Sequence, residues 1–161
     1  LVPIGGNDLD KDIIMHVKRT YNFVIGKKTA ESIKKEIGSA IPSEGTMTVY
    51  GRNTISGLPS ELQIDASEVN QAITEHLQQI MDQVKVILER TPPEVSADIY
   101  QNGIYVTGGS SRLKGLGEFI TQATKLKVNF NEEPENTVIT GLDTIIGDSK
   151  YSKLISELDE R

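Results

Sequence analysis

No cysteine occurs among the 161 residues, which removes disulfides, thiolate metal sites and a thiol nucleophile together and fits a reducing cytoplasm. Tryptophan is also missing and aromatic residues make up only 5% of the chain, so a core has to be built mainly from Ile, Leu and Val. The two histidines, His16 and His76, lie far apart in helical-looking segments. They read as solvated helix positions, which argues against a histidine metal site or a catalytic triad. No apolar run approaches the roughly 20 residues of a membrane-spanning helix, and no signal peptide is recognisable. A long block of one charge sign is lacking too; with a formal charge of −6 and a pI near 5.0, general nucleic-acid binding, which needs a basic face, is disfavoured. There is no initiator Met before Leu1, and the expectation is a piece of something longer. Its length suits one domain or two small lobes.

What is present alternates between helical and extended periodicity. Gly5-Gly6 turns the chain into a helix predicted over residues 7–24, with Leu9, Ile13, Ile14, Val17 and Tyr21 at helical spacing. Asn7 and Asp8 are candidate caps, and Asp10 and Asp12 read as first-turn acids opposing the helix dipole. A second helix follows Gly26 and stops at Gly38. On composition alone its Glu31, Lys34, Lys35 and Glu36 form a solvated face, with Glu31 and Lys35 one turn apart. Thr46-Met47-Thr48-Val49-Tyr50-Gly51 and Glu61-Leu62-Gln63-Ile64-Asp65 alternate as the arms of a hairpin. From Ser67, read as an N-cap with Asn70 or Gln71 in the box position, a long helix carries Val69, Ile73, Leu77, Ile80, Val84, Ile87 and Leu88 in a stripe. Thr91-Pro92-Pro93 ends it, and residues 94–100 read as a short amphipathic turn.

The stretch Gly103-Ile104-Tyr105-Val106-Thr107-Gly108-Gly109-Ser110-Ser111-Arg112-Leu113 reads as strand, tight turn and helix N-terminus. Its glycines would let backbone approach a ligand, and Ser110 or Ser111 would cap the new helix with its free N–H groups pointing outward. Taken alone, such a turn is more often structural than a binding site. Leu113, Leu116, Phe119, Ile120 and Ala123 are expected on the buried face of the helix that follows. Lys127-Val128-Asn129-Phe130 reads as a strand, and residues 138–146 and 151–158 as helices. The order of elements suggests an α/β region interrupted by a smaller α+β insertion.

Four segments in fixed order carry a specific resemblance: Ile4-Gly5-Gly6-Asn7-Asp8-Leu9-Asp10, Thr29-Ala30-Glu31-Ser32-Ile33-Lys34-Lys35-Glu36-Ile37-Gly38-Ser39-Ala40, Thr91-Pro92-Pro93-Glu94, and the stretch from Gly103 onward. Together they resemble the second half of the MreB family of bacterial actin-like proteins, over residues 1–148. The resemblance implies domain II of an actin-like (ribonuclease H-like) α/β ATPase, with a large lobe at residues 1–24 and 91–161 and a small α+β lobe inserted at 25–90. In that family ATP lies between domains I and II. Glu31, Lys34 and Lys35 would then face ribose and adenine, and Gly108, Gly109 and Ser110 would pass beneath the nucleotide. The Gly108-Gly109-Ser110-Ser111-Arg112 run is more similar to the adenosine loop of heat-shock chaperone ATPases, where the arginine stacks on adenine, a role that suits the planar guanidinium of Arg112. Thr140-Gly141-Leu142-Asp143 departs from the more glycine-rich helix start usual in the family.

The phosphate loops and magnesium-holding residues of the family lie upstream of Leu1, and phosphoryl transfer needs phosphate, metal and water held together. The expectation is therefore that ATP with magnesium belongs to a full-length parent. The 161 residues alone would hold no catalytic residue and no metal, and their own affinity for the nucleotide cofactor is expected to be weak or absent. Partners implied by the resemblance are copies of the chain in a filament that supports cell shape, the membrane and shape-determining proteins, with a cytoplasmic, membrane-associated location. Two alternatives stay open: a lobe of a chaperone-type ATPase, prompted by Gly108 to Arg112, and an interaction module without a nucleotide role.

Overall fold

The computed structural model describes residues 2–151. Helix α1 (Gly6–Tyr21) opens where the Asp8 carboxylate accepts the Gly5 N–H at 3.0 Å, satisfying a backbone group that no helical turn can reach. It buries Leu9, Ile13 and Val17 and stops at Asn22, which adopts a left-handed conformation with φ 51°. Asparagine tolerates that region better than most residues. The helix predicted to residue 24 therefore ends earlier, and Phe23–Val24 becomes β1, antiparallel to β2 (Thr46–Asn53).

Helix α2 (Lys27–Glu36) buries Ala30 and Ile33 against α1. β2 and β3 (Pro59–Asp65) form the expected hairpin, in register from Thr46 opposite Asp65 to Arg52 opposite Pro59. Its turn is organised by the Asn53 side chain, which accepts the N–H groups of Ile55 and Ser56 at 2.9 and 3.0 Å, a local pattern that asparagine favours. Val49 and Ile64 point into the core while their neighbours face out, as the two-residue repeat of a strand requires.

Helix α3 (Ala66–Glu89) starts earlier than the sequence pattern suggests: Asp65, not Ser67, is the N-cap, and Glu68 accepts its N–H at 3.2 Å. The last residue of β3 is already extended, so the helix begins as soon as the strand ends. Ala66, Val69, Ile73, Leu77 and Met81 are buried. Beyond Met81 the expected stripe loses its support, and Ile87 is 65% exposed. The core joins Leu9, Ile13, Val17, Phe23, Ile33, Val49, Ile64, Ile73 and Leu77, with Leu113, Leu116 and Phe119 packed on its edge. Each of the fully buried Ile13, Ile33 and Ile73 contributes on the order of 1.5–3 kcal/mol.

Residues 94–100, expected as a turn, belong to a full helix, α4 (Pro93–Asn102), with Pro92 extended as its N-cap and Pro93 in the first turn. A proline there loses no helical hydrogen bond and its φ is already helical. Gly103 follows at φ 82°, where an added Cβ would lie 2.4 Å from the Lys127 carbonyl oxygen; only glycine fits. β4 (Ile104–Val106) pairs in parallel with β5 (Val128–Phe130), and α5 (Leu116–Thr124) connects them. Helix α6 (Thr137–Gly147) exposes Val138, Ile139, Leu142 and Ile146. A short 3-10 turn, Ser149–Tyr151, closes the described residues, and the rest of the helix expected at 151–158 lies outside them. Among the described residues no helix is long and apolar enough to cross a membrane.

Candidate functional site

Three segments remote in sequence meet at the N-terminus of α1. A Cβ added at Gly6 would lie 3.2 Å from Lys34 Nζ and 3.5 Å from Ser110 Oγ. The bare backbone of Gly6 thus leaves room where α2 and the residue 108–112 turn converge. Lys34 Nζ donates to the Gly6 carbonyl at 2.9 Å and lies 2.7 Å from Asp10 Oδ1. The Asp10 oxygen has no well-aligned hydrogen-bond donor, so the close approach is a Coulombic pairing rather than a directed bond. Their side chains retain only 15% and 12% exposure. Lys34 is therefore not part of a solvated face, and Asp10 is not a dipole-capping acid. The carboxylate that closes the first turn of α1 is Asp8, which also pairs with Lys11 at 2.8 Å.

Glu31 and Lys35 behave as their spacing predicts. They pair at 2.6 Å across one turn of α2 with side chains 48% and 68% exposed. That shared hydrogen bond holds the Glu31 carboxyl below the usual carboxylate range and lifts the Lys35 ammonium above its usual value. Salt and water screen such a pair.

The glycine turn differs from the expected helix N-terminus. Gly108 has φ 85°, and Gly109–Arg112 forms a 3-10 turn that precedes Gly115 and α5. Neither Ser110 nor Ser111 caps α5; its N-cap is Gly115. Ser111 is buried and its hydroxyl donates to the Gly108 carbonyl at 2.7 Å, bracing the turn from below. This leaves Ser110 as the hydroxyl that faces Gly6. The turn is tied to the loop before α6 by the Gly108 N–H, which donates to the Pro134 carbonyl at 2.8 Å. Arg112 lies on that side, paired with Glu135. A further tie, from the Ala40 N–H to the Lys114 carbonyl at 2.8 Å, holds the exit of α2 against the entry to α5.

Sequence reasoning missed Asp10, Glu135 and both histidines. His16 is buried with Nε2 unpaired, and His76 Nδ1 pairs with Asp12 between α1 and α3; neither is a freely solvated position. The Tyr21 hydroxyl donates to Glu68, and this bond to a carboxylate pushes the tyrosine pKa up to about 12.

The arrangement offers backbone and hydroxyl groups at a helix N-terminus, a buried ammonium and a nearby guanidinium. Among the described residues no group of three or more His, Cys, Asp or Glu side chains converges to hold a metal.

These elements in this order form the fold of actin-like ATPases: the crystal structure of MreB5 of Spiroplasma citri bound to ADP superposes with a TM-score of 0.88 at 35% identity, over 96% of this chain and 47% of that one. A sequence model described as MreB/Mbl protein matches residues 1–153, and the chain belongs to the MreB/Mbl family. It is 34% identical over 147 residues to the cell shape-determining protein Mbl of Bacillus subtilis, covering 90% of this chain and 44% of that one. To the cell shape-determining protein MreB of Escherichia coli it is 39% identical over 142 residues, covering 87% and 41%. The chain thus spans less than half the length of these relatives.

Proposed function

We propose that this chain supplies the adenosine side of the nucleotide cleft in a filament-forming ATPase that supports cell shape. The observation that carries the reading is the meeting of Gly6, Lys34 and Ser110 at the N-terminus of α1, in a chain of the MreB/Mbl family. The ADP named with the Spiroplasma citri relative supports a nucleotide as the ligand class. In this reading Gly108, Gly109 and Ser110 pass under the sugar, and Glu31 and Lys35 on the exposed face of α2 approach ribose and base. Arg112 stacks on the adenine ring through its flat face. Lys34 acts through position: its ammonium, held by Asp10 and the Gly6 carbonyl, fixes α2 against the start of α1.

The larger lobe at residues 1–24 and 91–161, the inserted lobe at 25–90, a magnesium ion held elsewhere in a longer parent, and a cytoplasmic, membrane-associated location belong to the same proposal. So do filament contacts with further copies and contacts with shape-determining proteins. The test is ATP affinity and ATP-dependent pelleting of the full-length parent, with Arg112→Ala and Lys34→Ala alongside the unaltered protein. Both substitutions are expected to weaken ATP binding and raise the concentration needed for polymer. Unchanged affinity in both would favour an interaction module without a nucleotide role.

A further inference from the structure

The Arg112 guanidinium is engaged along one edge while its side chain stays largely exposed. Nε donates to Glu135 Oε1 at 2.5 Å and an Nη donates to Oε2 at 2.9 Å, a two-point fork that fixes the plane of the group. Both partners stand on loops joined to one another. The Gly108 N–H reaches the Pro134 carbonyl at 2.8 Å, and the Asn136 N–H closes back on the Glu133 carbonyl at 3.0 Å. Pro134 is buried, and a Cβ at Gly109 would sit 3.8 Å from Glu135 Cγ. Yet the paired side chains keep 59% and 46% exposure, and an ion pair so exposed adds little to stability. Its consequence is geometric.

We propose that Glu135 is a positioning residue that turns Arg112 into a stacking platform for a purine base and disfavours phosphate beside it. This rests on the reading above, in which Arg112 meets the base. A free arginine presents its donor edge to phosphate, where two parallel hydrogen bonds form readily. Here two of the five N–H donors are already given to a carboxylate of opposite charge, so a phosphate meets fewer donors and the Glu135 charge beside them. A planar ring needs a face of the group rather than its donors, and the side chain has already surrendered much of the rotational freedom that stacking would otherwise cost.

The test is a titration of the 161-residue chain with adenosine and, separately, with ribose 5-phosphate, followed by amide chemical shifts. Glu135→Ala and Glu135→Gln are expected to weaken adenosine binding by roughly threefold to tenfold, the scale of immobilising one long side chain, while ribose 5-phosphate binding holds or strengthens. Glu135→Gln keeps an acceptor for the fork and is expected to fall between the wild type and Glu135→Ala. In an Arg112→Ala background the Glu135 substitutions should have no further effect on adenosine. If Arg112→Ala weakens adenosine binding but the Glu135 variants do not, the positioning role is wrong and the base contact survives. Equal weakening of both ligands would mean that Glu135 only holds the loop, and would overturn the proposal. If Arg112→Ala leaves adenosine binding unchanged, or the wild type binds none, the underlying reading fails as well.

Discussion

Removing the Asp10 carboxylate gives the sharpest test of how α1 and α2 are joined. Lys34 Nζ has two oxygen neighbours within 3 Å, the Gly6 carbonyl and Asp10 Oδ1. With Asp10→Ala the ammonium keeps the carbonyl but loses its counter-charge while retaining only 15% side-chain exposure. Breaking a buried pair from one side costs about 3–5 kcal/mol, and the residual access of water to both groups places this case near the lower end, at about 3 kcal/mol. With a urea slope of about 2 kcal/mol per molar, the unfolding midpoint should fall by about 1.5 M with the slope unchanged. Lys34→Ala should fall comparably. The double substitution Asp10→Leu with Lys34→Met, which removes both charges and keeps apolar volume, should recover most of the loss. Equilibrium urea unfolding followed by circular dichroism measures all four proteins. A loss below about 0.5 kcal/mol for Asp10→Ala, the range of an ordinary surface substitution, would refute the buried pairing.

The neighbouring pair supplies the contrast: Lys35→Ala should leave the urea midpoint within experimental error, because Glu31 and Lys35 are exposed and screened. Tyr21→Phe should cost about 1 kcal/mol by removing the bond to Glu68. Because the folded tyrosine titrates near 12, above the ordinary value of about 10, that contribution is complete below pH of about 10 and lost as pH rises toward the folded value. An ultraviolet titration of the five tyrosines should show one late step that Tyr21→Phe abolishes. Gly103→Ala should lower the melting temperature more than Gly108→Ala. Both glycines have positive φ, but only at Gly103 would the added Cβ strike backbone, 2.4 Å from Lys127 O, whereas Gly108 has open space. Equal losses at the two positions would contradict the close approach.

The elements legible in the sequence were those whose local signals agreed. α2 carries its apolar positions, its ion pair and its glycine stop within one short window, and the hairpin alternates on both arms around an Asn-led turn. Where a boundary was misplaced, two local signals competed. Pro92 and Pro93 both disrupt a helix interior, yet one suits an N-cap and the other a first turn, so they start α4 as well as closing off α3. Ser67 and Asp65 are both good caps, and the end of β3 selected the earlier one. The lost stripe beyond Met81 has another cause: period alone does not tell whether a neighbour is there to cover it.

The site was legible in part for the same reason. Gly108, Gly109 and Ser110 announced themselves as a turn, but the serine roles depend on the 3-10 geometry, which puts Ser111 beneath the turn and Ser110 beside Gly6. Lys34 and Lys35 are adjacent and chemically alike in sequence. One residue of helical rotation, about 100°, separates the buried ammonium from the exposed one. Asp10 and Glu135 were invisible as partners because each pairs across at least 23 residues, beyond the reach of helical or strand periodicity.

The central claim is that the start of α1, α2 and the 108–112 turn together form the adenosine side of a nucleotide site. The most direct measurement is an amide chemical-shift map of the isotope-labelled 161-residue chain titrated with ADP into the millimolar range, which reaches weak binding. Saturable shifts are expected to centre on Gly6, Lys34, Gly108, Gly109 and Ser110 and to extend to Arg112. Shifts confined to other surfaces, such as the outer face of α3 around Gln71 and Glu75, or no saturable shifts at all, would contradict the claim.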